Sequence, residues 1–106
     1  GDYPDYFDIV EWPGNTARKC QGSLTDGEMF AFLSYFDTKN LATRIRGAVL
    51  ATSGLQDDTC PPHTNMAPFN NLPGTDKEMH FYPEMNHAVP PEWTDLYTDF
   101  FRERIR

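Results

Sequence analysis

The stretch Gly47-Ala48-Val49-Leu50-Ala51-Thr52-Ser53-Gly54 decides the fold. It is a short apolar run between glycines, the pattern of a strand buried on both faces of a parallel sheet. Working outward, Glu78-Met79-His80-Phe81-Tyr82-Pro83 reads as a second strand, with Met79 and Phe81 pointing one way and His80 and Tyr82 the other. Between the two, Pro61-Pro62 suits the first turn of a helix running to about Leu72. Pro68 predicts a kink or an early break in that helix, because its ring removes a backbone hydrogen bond. Pro73-Gly74 then turns the chain back.

Helices flank this pair on both sides. Upstream, Thr25-Asp26-Gly27-Glu28 has the form of a capping box. Met29, Phe32, Leu33 and Phe36 follow at helical spacing and predict one apolar face. Asp37 is placed to cap a second short turn holding Leu41, Ala42 and Ile45. Downstream, Pro90-Pro91-Glu92 opens a last helix on which Trp93, Leu96, Tyr97, Phe100 and Phe101 form a wide apolar stripe. Arg102, Arg104 and Arg106 crowd its C-terminal end, where the helix dipole favours cations. Residues 1–24, punctuated by Pro4, Pro13, Gly14 and Gly22, read as irregular, with one unassigned short element over Tyr6–Trp12. The order over 25–106 is helix, strand, helix, strand, helix, which is α/β with a parallel pair. Two parallel strands alone do not make a stable sheet. Either residues 1–24 supply more strands, or the chain is the end of a larger α/β domain, the stronger reading. Gly1 in place of a Met fits a fragment or a cleaved tag.

Composition narrows the function classes. The 106 residues carry nine Lys and Arg against sixteen Asp and Glu, a net charge of −7. Such a surface repels phosphate backbones and anionic lipid, so neither nucleic acid nor membrane is an expected partner. No apolar run is long enough to span a bilayer. The acidic N-terminus reads as no signal peptide, which favours the cytoplasm without deciding the compartment. Cys20 and Cys60 are too few and too far apart for a zinc cluster or a disulfide framework and read as free thiols.

Sites in open α/β sheets form beyond the carboxyl ends of the strands. Asp57 lies just after the first strand and His87 just after the second. With one helix between them, the two loops should be neighbours. A carboxylate there can hold the imidazole tautomer and stabilise the imidazolium, as in Ser–His–Asp hydrolysis with the acid preceding the His. Taken singly, an Asp after a strand is commonly a turn residue and a loop His is commonly solvated. Their occurrence at consecutive strand ends makes the pair the candidate site. His63, opening a helix, reads as solvated, and His80 as a buried, hydrogen-bonded imidazole. No His, Asp and Glu set has metal-ligand spacing, so neither metal nor cofactor is expected.

Three ordered blocks resemble a known family. Ser34-Tyr35-Phe36-Asp37-x-x-Asn40-Leu41-Ala42-x-Arg44-Ile45, Gly54-Leu55-x-Asp57-x-x-Cys60-Pro61-Pro62-x-Thr64 and Lys77-Glu78-x-x-x-Tyr82-Pro83-x-x-Asn86-His87 are similar to the acetyl xylan esterase/cephalosporin C deacetylase family over residues 34–105. The resemblance implies the C-terminal part of an α/β-hydrolase fold, incomplete as a domain, with residues 1–106 forming its C-terminal segment. It implies removal of acetyl groups from short xylooligosaccharides and related acetyl esters by a Ser–His–Asp mechanism. It puts the acid on Asp57 rather than Asp58, and the base on His87. It implies self-association, or pairing with the preceding part of the same enzyme. The sequence departs from the family's pattern after the His, at Ala88-Val89-Pro90-Pro91. Ser23, Ser34 and Ser53 all lack the flanking glycines of a Gly-x-Ser-x-Gly nucleophile elbow, so the serine is expected upstream of residue 1. A non-catalytic fragment or self-associating module stays open as an alternative. So does another serine hydrolase, dienelactone-hydrolase-like or prolyl-peptidase-like, against which Cys60-Pro61-Pro62 and Ser34-Tyr35-Phe36-Asp37 weigh.

Overall fold

The computed structural model describes residues 3–4 and 11–105, with side chains left aside at 11–14. Helix α1 spans Glu11–Cys20, α2 Asp26–Leu33 and α3 Thr38–Leu41, followed by a 3-10 turn at Ala42–Arg44. Strand β1 is Val49–Gly54, α4 Pro62–Asn70, β2 Lys77–Tyr82 and α5 Trp93–Arg104. The two strands pair in parallel from Val49 opposite Lys77 to Gly54 opposite Tyr82. The chain is thus α/β, two parallel strands with flanking helices.

Helix α1 corrects the irregular reading of residues 1–24. Pro13 sits in its first turn, where the amide it lacks has no intrahelical partner in any case. Arg18 and Lys19 complement the dipole at its other end, and Gly22 in the left-handed region (φ 61°) turns the chain away. The Tyr6–Val10 portion of the unassigned element lies outside the described residues.

The capping box at α2 forms as read: Thr25 Oγ1 accepts from the Glu28 amide at 3.2 Å, and the Glu28 carboxylate accepts from the Thr25 amide at 3.4 Å. Asp37 caps α3, its Oδ1 accepting from the Lys39 amide at 3.1 Å, while its Oδ2 accepts from the Tyr3 amide at 2.8 Å. Those donors compensate a carboxylate that is otherwise fully buried. The apolar face of α2 departs from expectation. Met29 is buried, but Phe32 is 61% exposed and Phe36 60% exposed. Periodicity identifies a face that can be buried, and among the described residues little packs on this one.

The strands show the same shortfall. Only Ser53 and Gly54 of β1 are buried, and Val49–Thr52 are half-exposed rather than covered on both faces. Among the described residues the sheet has two strands, so neither has a second neighbour to close over it. Strand β2 begins one residue earlier than read and ends at Tyr82, and its alternation holds: His80 and Tyr82 both face Trp93 of α5, with ring centroids 6.2 and 6.4 Å away. Helix α4 does not break at the expected Pro68 but passes through it to Asn70, ending just short of Leu72. The proline forfeits only its own bond to the carbonyl four residues back, while the Asn71 amide still donates to the Ala67 carbonyl at 3.3 Å. Lys77 seals this end, donating to the carbonyls of Phe69 (3.0 Å) and Leu72 (3.2 Å). Helix α5 starts at Trp93 rather than at the prolines, with Glu92 as its N-cap. Arg104 closes it by a two-pronged contact to Asp76, at 2.6 and 2.9 Å, while stacking over Phe100. Among the described residues the buried apolar core is small: Met29, Ala42, Leu72 and Phe100. The radius of gyration, 16.0 Å, exceeds the roughly 13 Å of a compact chain of ~100 residues.

Candidate active site

Two loops leave the same ends of β1 and β2 and lie side by side. The first, Leu55 to Pro61, is a tight turn built on Asp57. Asp57 Oδ1 accepts the amides of Thr59 (2.9 Å) and Cys60 (2.8 Å), an arrangement that suits a short acidic side chain just before a helix. Its other oxygen, Oδ2, meets His87 Nδ1 at 2.9 Å. The side chain of Asp57 is 7% exposed and that of His87 60% exposed. Burial works against the Asp57 charge, but the Cys60 amide, the His87 ring and the Thr59 amide together outweigh it and hold the carboxyl below the ordinary aspartate range.

This sets the imidazole tautomer. An ionised carboxylate only accepts, so Nδ1 carries the hydrogen and the neutral ring keeps its lone pair on Nε2, on the exposed side chain. A cleft of about 350 Å³ runs past the pair, lined by residues of β1, α4 and the His87 loop, among them Ser53, Cys60, Asn65 and Val89. Asn65 donates to Ser53 Oγ at 3.2 Å and to the Cys60 carbonyl at 3.4 Å, tying α4 to the strand end. A larger, shallow depression beside Asp76 and Arg102–Arg104 lies at the opposite end of β2, away from this chemistry.

The structure therefore brings Asp57 and His87 together and leaves Asp58 out. Asp58 is exposed, and its contact with the histidine loop is through its amide, 3.4 Å from Asn86 Oδ1. His63 is exposed at the start of α4, as read. His80 is half-buried rather than enclosed, with Nε2 3.3 Å from Glu78 Oε2. Cys20 and Cys60 are free, the first exposed. Among the described residues no three His, Cys, Asp or Glu side chains are grouped to hold a metal ion, and no helix is long and apolar enough to cross a membrane.

Sequence reasoning quoted two further residues without giving either a role in the site. Gly54 ends β1 where the backbone of Met85 and Asn86 crosses it, leaving no room for a side chain. Asn86 bridges the loops through its side-chain oxygen, which accepts from the His87 amide at 2.8 Å as well as from Asp58. A glycine closing an apolar strand and an Asn opening a loop were the available signals.

With this geometry in hand, comparison with known proteins is direct. A family model described as acetyl xylan esterase (AXE1) matches residues 17–104. The chain belongs to the acetyl xylan esterase family. The crystal structure of acetyl xylan esterase 1 from Thermoanaerobacterium sp. JW/SL YS485 superposes with a TM-score of 0.74 at 32% identity, covering 100% of this chain and 31% of that one. Acetyl xylan esterase from Paenibacillus sp. R4 gives 0.72 at 34% identity, covering 81% of this chain and 27% of the other. The chain thus spans less than a third of the length of these esterases. Its two strands and flanking helices are part of an α/β-hydrolase fold, incomplete as a domain. Family membership extends upstream of the blocks at 34–105 to include α2 and the end of α1.

Proposed function

We propose that this segment of an acetyl xylan esterase supplies the acid and the base of a Ser–His–Asp site that removes acetyl groups from acetylated xylooligosaccharides or related acetyl esters. The observation that carries the reading is the 2.9 Å contact between Asp57 Oδ2 and His87 Nδ1 at adjacent strand ends, in a chain of an esterase family. Nε2 of His87 takes the proton of a serine hydroxyl brought by another part of the protein. The serine oxygen attacks the acetyl carbonyl, and the tetrahedral intermediate collapses as His87 returns the proton to the departing sugar oxygen. A water then repeats the sequence on the acetyl-enzyme and releases acetate. Asp57 stays ionised throughout, because its amide donors and His87 favour the charged form.

The test is mutagenesis in the full-length enzyme with an acetylated xylooligosaccharide as substrate. Asp57→Asn presents the wrong group to Nδ1 and should lose about 10⁴-fold in kcat. His87→Ala should lose at least as much, and Asp58→Asn should cost little. Activity surviving His87→Ala overturns the reading.

A further inference from the structure

We propose that Asn86 is a positioning residue for this site: its side-chain oxygen clips the histidine loop to the acid loop and thereby sets the Asp57–His87 contact. The proposal rests on the functional reading above. The sheet ladder ends at Gly54 and Tyr82, but the loops do not diverge there. The Leu55 amide donates to the Tyr82 carbonyl at 3.0 Å, the Gln56 amide to Met85 at 3.1 Å, and the Gln56 side chain to Pro83 at 3.1 Å. Asn86 makes the last of these ties, reaching both His87 and the residue that follows Asp57. Its Oδ1 takes the amide of His87 itself and the amide of Asp58, the residue following Asp57.

The clip matters because of what each partner lacks. Asp57 is held from its own side by two amides and is buried. His87 is mostly exposed, and among the described residues its ring is oriented by Asp57 alone. Its backbone must therefore be fixed if its ring is to stay within reach of the carboxylate. The Ala88 amide donating to the Asn86 carbonyl at 2.8 Å closes the turn on the far side. Loss of the Asn86 acceptor frees the His87 amide and unhooks the two loops at the point nearest the chemistry.

The experiment uses the full-length enzyme with Asn86→Ala and Asn86→Asp. Only the oxygen is used in the clip, so Asp, which keeps an acceptor there, is the rescuing variant. Asn86→Ala should lower kcat about 10- to 100-fold with KM little changed, the size of effect expected from a misplaced catalytic group. The downfield proton resonance of His87 Nδ1–H should broaden or vanish. Asn86→Asp should restore both the resonance and most of kcat. Should Asn86→Ala not fold, Asn86→Gln moves the same amide one methylene away and should show the same losses. Unchanged kcat and an intact resonance in Asn86→Ala or Asn86→Gln, or an Asn86→Asp variant as impaired as they are, overturns the proposal. The activity of His87→Ala separates the two readings: if the catalytic assignment fails, the resonance, read in the variants that keep His87, still reports on Asn86.

Discussion

Gly54 lies directly beneath the carbonyl of Asn86, and a Cβ at position 54 would overlap the carbonyl oxygens of both Met85 and Asn86. The strand carrying the acid therefore ends where the loop carrying the histidine crosses it. The close approach is between backbones, so no flexible side chain can yield.

Gly54→Ala should accordingly push the two loops apart. We expect a destabilisation of about 1–3 kcal/mol, the usual range for forced overpacking, together with loss of esterase activity in the full-length protein. Gly74→Ala is the control, since nothing lies within 4 Å of a Cβ there. Urea unfolding midpoints of the two variants check the contrast, and equal midpoints would refute it.

Acid should weaken the protein partly through Asp57. Its folded-state pKa is lowered from the ordinary value near 3.8, so the folded state holds fewer protons than the unfolded state in the interval between the two values. The stabilisation is complete above the ordinary value and disappears as pH falls through the lowered one. Unfolding free energies of the full-length protein, measured from neutral pH down through this interval, should fall more steeply for wild type than for Asp57→Asn. Parallel curves would show that Asp57 contributes nothing.

The 106-residue chain alone should not turn over acetyl esters. It has no Gly-x-Ser-x-Gly, and Ser53, which lines the cleft, is buried and bonded to Asn65. Incubation with a chromogenic acetyl ester should give no burst and no turnover. Hydrolysis abolished by a serine-directed inhibitor would reveal a nucleophile within the chain.

The same chain in isolation should self-associate. The outer edge of β1 is unpaired among the described residues, and Phe101, 54% exposed, lies beside a groove lined by Val49, Leu50 and Trp93. Exposed strand edges and apolar surface of this kind pair with other chains. Sedimentation velocity at increasing concentration should show a rising weight-average mass, and a constant monomer mass would count against the expectation.

Local signals were legible wherever one residue decides one geometry. Thr25 and Glu28 wrote a helix start, Asp37 a cap, and the apolar run to Gly54 a strand, whereas the break expected at Pro68 did not occur there. The α1 helix was not legible, because Pro13 and Gly14 look like breakers unless their place in the first turn is known. Nor was the exposure of Phe32, Phe36 and Val49–Thr52, since periodicity marks a face without saying whether anything covers it.

The candidate pair divides in the same way. The sequence by itself determined the chemistry available, an Asp and a His each following a strand, and the three blocks that resemble one esterase family. It could not measure the distance between Asp57 and His87, nor choose physically between Asp57 and Asp58, because 30 residues separate the pair. Tertiary structure decided both. The parallel register of β1 and β2 sets the strand ends level, and the absent side chain of Gly54 lets the loops touch. The amides of Thr59 and Cys60 then aim Asp57, not Asp58, at Nδ1. A contact between distant segments depends on how backbones pack, and that information resides in no single stretch of the chain.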